Sequence, residues 1–349
     1  MRKLWTPAQA NEWHSRNPWF VGCNYIPRTA VNQLEMWQAE TFDPAVIDEE
    51  LAWAESIGFN ALRVYMHDIP WFEDREGFAR RVRNFLEIAE RHKQRVVFVL
   101  FDSCWLPHPK SGAQPAPVPG VHNSGWLQCP GIDILADPAE FAKREEFITG
   151  FIKLFRDDPR VLMWDLWNEP DNLNTGSNGD KDLAAKTEII PAYLEKSFAW
   201  ARAAEPEQPL TAGVWLGDWA SDETLKPAER IQLENSDIVS FHCYDPPEIM
   251  EKRIAQLRRF GRPLYCTEYM ARGSGSTFQS ILPILKKECV AGFNWGFAQG
   301  KIQTHLPWDS WQNPYVNGRE PPFWFHDVLR PDGSPYSQAE TDFIREIVK

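Results

Sequence analysis

Two glutamates at the ends of apolar segments could act together on one covalent bond. Glu169 lies near the end of the apolar segment 161–170, and Glu268 ends the segment 263–268. A buried carboxylate loses its hydration, so it needs either a partner or a function. Two carboxyl groups across one cleft can cleave a glycosidic bond, because one protonates the leaving oxygen and the other attacks or stabilises the anomeric centre. The structural alternatives are a helix-capping or ion-paired Glu169 and an ion-paired Glu268.

Two other segments offer polar side chains that could join this pair. His242 and Tyr244 are two residues apart on a predicted strand, so they share one face, either at the site or in the core. Arg63 interrupts an apolar strand, and a buried arginine is rarely unpaired. Asp165 and Glu268 are its candidate partners, and we interpret Asp165 as structural rather than catalytic.

The order of residues before Pro170 sets a condition on the backbone. Successive side chains of a strand point to opposite faces. Asp165 is an even number of residues from Glu169, so both should face the barrel axis if the alternation holds. Asn168 and Glu169 are adjacent, so both reach one cavity only if the strand breaks its alternation there.

Eight strand-like segments alternate with predicted helices along the whole chain. They are 19–27, 59–66, 95–102, 161–170, 209–216, 237–244, 263–268 and 290–297. Predicted helices follow at 43–58, 76–93, 138–156, 182–204, around Leu225 and Ile231, and at 247–260, 276–288 and 337–348. This rhythm predicts an α/β fold in which residues 1–349 form a single catalytic (β/α)8 TIM barrel. A doubly wound open sheet is the competing architecture, but the first strand lacks the Gly-rich turn that often accompanies it.

Two long loops should shape the mouth of the barrel, at the end where barrel active sites lie. The first, 103–137, follows the third strand, is rich in proline and contains Trp105, His108, His122 and Trp126. The second, 298–335, follows the eighth strand. Long loops of this kind are often functional, and tryptophans in loops can bind the apolar faces of sugars.

The composition limits the possible partners and compartment. The chain has 349 residues, 43% of them hydrophobic, and a net charge of −12. This acidity argues against nucleic acid or an anionic membrane as a partner. The sequence shows neither an apolar leader nor a run long enough to span a bilayer. We therefore expect a cytoplasmic protein, or a secreted one if a leader has been removed.

The cysteines indicate neither a metal site nor a redox motif. None of the six forms a C-x-x-C pair. Four are expected to pack as small hydrophobic residues in strand-like runs: Cys23, Cys104, Cys243 and Cys266. We predict no metal and no cofactor.

The segments Trp167-Asn168-Glu169-Pro170 and Thr267-Glu268-Tyr269 resemble the retaining glycoside hydrolases of clan A, most of all family 5, the cellulase family. The resemblance implies that Glu169 is the general acid/base and Glu268 the nucleophile. It further implies that Asn168 binds the sugar 2-hydroxyl and that Arg63 keeps Glu268 ionised. Tyr244 would contact the nucleophile.

The same resemblance assigns further positions and leaves one open. His242 pairs with Tyr244 on the sixth strand, and Trp295 would form the floor of the subsite for the cleaved sugar. The third strand of the family commonly ends in a histidine, whereas here it runs Phe101-Asp102-Ser103-Cys104-Trp105. Either Asp102 binds a sugar hydroxyl instead, or the loop 103–137, with Trp105 and Trp126, refills the site. The segment 299–311, with Lys301, Gln303, His305 and Trp308, either lines the same mouth or packs as a surface loop.

The predicted function is that of a retaining β-glycoside hydrolase that works by double displacement. Glu169 begins protonated and becomes a base after the glycosyl-enzyme has formed, and the two carboxyl groups should lie about 5–5.5 Å apart. The expected location and the long loop favour exo action on short β-linked oligosaccharides or glycosides of the gluco, manno or xylo type. The alternatives are an endo-β-1,4-glycanase with an open cleft and a non-catalytic sugar-binding barrel. A metal-dependent barrel hydrolase is disfavoured, because Asn24-Tyr25 stands where a His-x-His would follow the first strand. The sequence does not identify the sugar or the oligomeric state.

Overall fold

Eight parallel strands form the centre of the fold. The computed structural model describes residues 2–349. The strands are β1 (Val21–Tyr25), β2 (Ala61–Tyr65), β3 (Arg95–Asp102), β4 (Val161–Asn168), β5 (Leu210–Thr211), β6 (Val239–His242), β7 (Leu264–Tyr269) and β8 (Ala291–Asn294). Their order in the sheet is β5-β4-β3-β2-β1-β8-β7-β6.

The two edge strands of this order, β5 and β6, meet and close the sheet into a barrel. Val214 forms a parallel bridge with Phe241. The Val214 amide donates to the Ser240 carbonyl at 3.1 Å, and the His242 amide donates to the Val214 carbonyl at 2.9 Å. The predicted (β/α)8 barrel is therefore confirmed, and the open sheet is wrong.

Helices surround the barrel. They are α1 (Pro7–Ser15), α2 (Gln33–Trp37), α3 (Pro44–Ser56), α4 (Asp68–Glu73), α5 (Arg75–Arg91), α6 (Ile132–Leu135), α7 (Pro138–Ala142), α8 (Glu145–Phe155), α9 (Lys186–Ala203), α10 (Pro227–Asn235), α11 (Pro247–Leu257), α12 (Phe278–Lys287) and α13 (Gln338–Ile347). Asp43 caps α3 by accepting from two backbone amides, with Pro44 as the first helical residue. Within residues 2–349, no helix has the length and apolarity needed to cross a membrane.

Some predicted elements differ from the observed ones. The helix predicted at 138–156 is two helices, α7 and α8, separated at 143–144. The fifth strand pairs with β4 only over Leu210–Thr211, because the chain then shifts and pairs with β6 through Val214. The loop 103–137 is not free of regular structure, since it contains α6 and an antiparallel bridge between Asp102 and Cys129.

The two ends of the barrel interior differ in polarity. At the N-terminal ends of the strands, apolar side chains form one buried cluster that includes Val97, Met163 and Phe293, and Ala10 of α1 joins it. The buried polar side chains Arg63 and Asn168 lie toward the opposite, C-terminal ends. The apolar end therefore supports the fold, and the polar end is free to carry a site.

Candidate active site

A cavity of about 410 Å³ opens at the C-terminal ends of the strands. The predicted site residues that line it are Trp105, Trp126, Asn168, Glu169, Tyr244, Glu268, Trp295 and Trp308. The other three, Arg63, Asp102 and His242, are buried and support the lining residues from behind. The structure thus brings the predicted site residues together from β2, β3, β4, β6, β7, β8 and the two long loops.

The backbone turns at Glu169 and so places two adjacent side chains in one cavity. Glu169 has a φ of 43°, in the left-handed region that non-glycine residues rarely adopt. This conformation breaks the alternation of β4 immediately after Asn168. Both side chains line the cavity, as the sequence required for a shared site.

The Glu169 carboxyl group contacts side chains from three loops or strands. His242 Nδ1 lies 2.9 Å from Oε1. The amide of Asn172 donates to Oε2 at 2.7 Å, and the thiol of Cys104 donates to the same oxygen at 3.2 Å. Glu169 is therefore held by hydrogen bonds and is neither a helix cap nor a member of an arginine or lysine ion pair.

Glu268 is buried and surrounded by donors that favour its ionised form. Arg63 Nη1 and the Tyr65 hydroxyl donate to Oε1 at 2.9 and 2.8 Å, and the Tyr244 hydroxyl donates to Oε2 at 2.6 Å. Burial by itself raises the pKa of Glu268, but the charges of His242 and Arg63 and the two hydroxyl groups outweigh it, so the pKa lies below its ordinary value. An ionised carboxylate is the form that a nucleophile requires.

The two carboxyl groups lie close enough for the double displacement of a retaining enzyme. One ligand oxygen of Glu169 and one of Glu268 are within 4.8 Å of each other, and His242 Nδ1 is within the same distance of both. Retaining glycosidases place their carboxyl groups about 5–5.5 Å apart, whereas inverting enzymes separate them by about 6.5–9.5 Å to admit a water. The spacing therefore fits formation of a covalent glycosyl-enzyme.

Arg63 is buried beneath the cavity and forms hydrogen bonds with side chains of both β4 and β7. Its Nε and Nη2 bind Asp165 Oδ2 at 3.0 and 2.8 Å, and Nη2 also donates to Asn168 Oδ1 at 2.7 Å. Because Arg63 also binds Glu268, it pairs with both of the carboxylates that the sequence offered as its candidate partners. Asp165 is wholly buried and thus has the structural position predicted for it.

Asp102 supports its neighbours and does not face the cavity. It accepts from Trp126 Nε1 at 2.6 Å, from Asn168 Nδ2 at 3.0 Å and from the Cys104 amide at 3.0 Å. Burial, only partly offset by these donors, raises the pKa of Asp102 to about 7. Asp102 is 2% exposed and is not among the lining residues, so orienting Trp126 and Asn168 fits its position better than contact with a sugar hydroxyl. The other alternative holds, since Trp105 and Trp126 of the loop 103–137 line the cavity.

The sequence analysis missed several residues that form the site. Those with direct contacts to the glutamates are Tyr65, Asn172 and Cys104, and the others lining the cavity include His122, Trp215 and Trp311. Cys104 packs in the hydrophobic core as expected, but it follows β3 instead of lying in the strand, and it also lines the cavity. Tyr65 could have been found, since it lies two residues after Arg63 and shares its face.

The segment 299–311 after β8 divides between the two predicted alternatives, because its later residues Trp308, Asp309 and Trp311 line the cavity and its earlier ones pack within the loops. Trp308 lines the cavity and is 38% exposed. Lys301 instead binds Glu35 at the surface, and Gln303 binds the backbone of the first loop at Val118 and Val121. Lys301 and Gln303 therefore pack within the loops and do not line the mouth of the barrel. His305 is also outside the lining and packs against Trp324.

The two long loops are joined into one wall beside the cavity. The His122 amide donates to Ser310 Oγ at 2.9 Å, and the rings of Trp105 and Trp311 stack 5.4 Å apart at 8°. Gln312 Nε2 extends the wall by donating to the Gly176 carbonyl in the β4 loop at 3.0 Å. One side of the cavity is therefore enclosed by three mutually bonded loops.

The three side chains Glu169, His242 and Glu268 are poorly suited to bind a metal ion. Glu169, His242 and Glu268 each offer a ligand atom within 4.8 Å of the others. The guanidinium of Arg63 already lies 2.9 Å from Glu268 and supplies a positive charge there. The arrangement fits two carboxyl groups working as acid and nucleophile better than it fits a metal centre.

A comparison with protein families decides the classification. The family model for cellulase (glycosyl hydrolase family 5) matches residues 55–313, which include β2 to β8 and every predicted site residue. The chain belongs to glycoside hydrolase family 5. The resemblance found in the sequence is thus confirmed, and the chain is a retaining glycoside hydrolase. No curated protein sequence matches this family 5 chain.

Solved structures share the fold at low sequence identity. A variant of GH5_18 from Streptomyces cattleya, in complex with Manβ1-4GlcNAc, is 12% identical with a TM-score of 0.63 over 95% of this family 5 chain and 80% of its own. The exo-β-1,4-mannosidase Op5Man5 from Opitutaceae bacterium strain TAV5 is 18% identical with a TM-score of 0.62, over 95% of this chain and 59% of its own. The β-mannanase from the blue mussel Mytilus edulis is 14% identical with a TM-score of 0.60, over 86% of this chain and 93% of its own. At these identities the likeness is one of fold.

Proposed function

We propose that this chain is an exo-acting β-glycosidase that removes single sugars from short β-linked oligosaccharides or β-glycosides. Glu268 attacks the anomeric carbon while Glu169 protonates the leaving oxygen. The same Glu169 then takes a proton from the water that releases the sugar from Glu268. The proximity of the two carboxyl groups, within 4.8 Å, is the single observation that carries this mechanism.

The enclosed side of the cavity supports exo action. Trp105, Trp311 and Gln312 connect the wall of loops to the β4 loop. A cavity closed on this side suits a substrate whose chain ends there. The volume of about 410 Å³ is at the small end of the range for ligand pockets, which suits a substrate of one or two sugars.

The tryptophans define how a sugar would lie. Trp295 and Trp126 line the cavity and pack edge to face, with ring centroids 5.6 Å apart. Asn168 has a fixed orientation, because Oδ1 accepts from Arg63 and Nδ2 donates to Asp102. We propose that it binds the hydroxyl next to the anomeric carbon, while the indole rings cover the apolar face of the sugar.

The test is hydrolysis of a panel of aryl β-glycosides. The β-mannoside is the first to try, because mannosidase and mannanase structures are among those with a similar fold; the glucoside, xyloside, galactoside, fucoside and arabinoside complete the panel. Wild type is compared with Glu268→Ala and Glu169→Ala. Cleavage of one or two members by wild type, with loss in Glu268→Ala and retention of the anomeric configuration by NMR, is the expected result.

Other results would point to the alternatives. Activity restricted to oligosaccharides of four or more sugars would refute exo action and indicate an endo-β-1,4-glycanase. Product of inverted configuration would refute the double displacement. Sugar binding by calorimetry without turnover of any substrate would indicate a binding barrel.

A further inference from the structure

A side chain just beyond the first predicted catalytic segment (167–170), Asn172, controls one oxygen of Glu169. Its Nδ2 donates to Glu169 Oε2 at 2.7 Å. Its Oδ1 accepts from the Asn174 amide at 2.8 Å. Because a backbone N–H can only donate, the amide of Asn172 has one possible orientation, and its N–H group must face Glu169.

We propose that Asn172 is a positioning residue that fixes the acid/base and stabilises its carboxylate form. The inference rests on the proposed role of Glu169. A short hydrogen bond from a fixed donor favours negative charge on the oxygen that accepts it. Oε2 is that oxygen, and the other oxygen, Oε1, lies beside His242 Nδ1.

Cys104 acts on the same oxygen and reinforces the effect. Its thiol donates to Oε2 at 3.2 Å, and burial holds the pKa of the thiol well above its ordinary value. The thiol thus keeps its proton at neutral pH and remains a donor. Its weaker polarity makes it the smaller of the two contributions.

Four other charged or titratable groups around Glu169 also affect its carboxyl group. His242 from β6 contacts Oε1, and Glu268 from β7 lies across the cavity. Asp102 of β3 and Tyr244 both respond electrostatically to the charge of Glu169. Asn172 is a neutral donor on Oε2, and changing it leaves these four groups in place.

The test compares Asn172→Asp and Asn172→Ser with wild type. Either replacement keeps an oxygen that can accept from the Asn174 amide, so the turn is preserved, and either removes the Nδ2 donor to Glu169. Serine adds no charge, so it isolates the loss of that donor, whereas an ionised aspartate also repels the Glu169 carboxylate. Asn178→Asp is the matched control, because it makes the same chemical change in the same loop, and Asn178 Nδ2 has no hydrogen-bond partner among residues 2–349.

Two measurements follow the variants. In kcat/KM profiles for a glycoside with a poor leaving group, the basic limb moves to higher pH by about one unit, the size expected for loss of a hydrogen bond to a charged group. With a dinitrophenyl glycoside, whose leaving group needs no proton, kcat/KM at neutral pH stays within about twofold of wild type, as expected where general acid catalysis is not required. The control leaves both profiles unchanged.

The second measurement does not depend on activity. Carbon-13 NMR of protein labelled at the glutamate carboxyls follows Glu169, identified by its absence from the spectrum of Glu169→Gln. Its titration midpoint rises in both Asn172 variants. An unchanged midpoint in folded Asn172→Asp and Asn172→Ser overturns the inference, whether or not the enzyme cleaves the panel, whereas failure of the panel alone refutes only the proposed function. Cys104→Ala shifts the midpoint in the same direction by less, and Cys104→Ser restores it.

Discussion

Tyr65→Phe removes a single hydroxyl from the surroundings of Glu268. That hydroxyl donates to Oε1 at 2.8 Å, and Arg63 Nη1 donates to the same oxygen at 2.9 Å. A hydrogen bond to a charged group contributes about 1.5–3 kcal/mol. Since Arg63 remains on Oε1, we expect the lower figure, about 1.5 kcal/mol, which corresponds to about one pKa unit.

The sign of the effect on stability follows from the ionisation state of Glu268 that the folded protein favours. The pKa of Glu268 is lowered in the folded protein, because His242, Arg63 and the two hydroxyls outweigh burial. Its ionised form therefore stabilises the fold above the unfolded pKa, and this contribution is lost as the pH falls through the folded pKa. Without the Tyr65 hydroxyl, Glu268 holds its proton to a higher pH, and the stability of the variant at neutral pH falls by a similar amount.

The assay is the pH dependence of kcat/KM with the aryl glycoside that wild type cleaves best. We expect the acidic limb, which reports ionisation of the nucleophile, to move up by about one pH unit. Tyr269→Phe is the control, because Tyr269 is buried on the same strand as Glu268 and its hydroxyl has no hydrogen-bond partner in the described part of the chain. A lower activity with an acidic limb at the wild-type position would show that Tyr65 acts by packing and would refute the electrostatic reasoning.

Three further predictions concern the support, the wall and the pH dependence of stability. Arg63→Met leaves Asp165 buried without its cation and should lower the free energy of unfolding by about 3–5 kcal/mol in urea titrations. Adding Asp165→Asn should restore part of this loss. An unchanged urea midpoint in Arg63→Met would contradict the prediction. Trp311→Ala removes the ring stacked on Trp105 and should raise KM up to about tenfold (about 1.4 kcal/mol) with little change in kcat; a loss confined to kcat would assign it another role. Burial raises the pKa of Asp327 to about 7, so the folded state binds an extra proton there, and the contribution of this group to stability decreases from about pH 4 to pH 7. Asp327→Asn should remove that contribution from the pH dependence in thermal unfolding measurements, and an equal slope would refute the assignment.

The fold could be predicted from the sequence because its signals are local and repeated. Each strand is an apolar run, and several helices have explicit ends, such as Asp43-Pro44 at the start of α3. Gly261 also adopts the left-handed conformation expected where a helix ends. The division of 138–156 into two helices was not predictable in this way, because both halves have helical residues and the intervening Lys143 and Arg144 keep right-handed helical dihedral angles.

The site was predictable to the extent that it follows from strand ends. Glu169, Glu268 and Arg63 belong to strands whose carboxyl ends must meet in a parallel barrel. Tyr65 was available by the same reasoning and was overlooked. Cys104 and Asn172 could not be placed, because both lie in irregular loops, and the contact of Asn172 with Glu169 depends on the left-handed backbone at Glu169.

The closure of the barrel has a consequence for how the enzyme loses and regains its working form. The backbone amide that makes the last bond between the two edge strands belongs to His242, and its acceptor is Val214. The side chain of the same residue binds Glu169. A local opening that breaks the hydrogen bond between His242 and Val214 therefore also displaces the side chain that binds Glu169. Closure of the barrel and the arrangement of the catalytic site thus depend on the same residue. The rate at which the His242 amide exchanges its hydrogen with solvent consequently measures how often the intact barrel is briefly inactive.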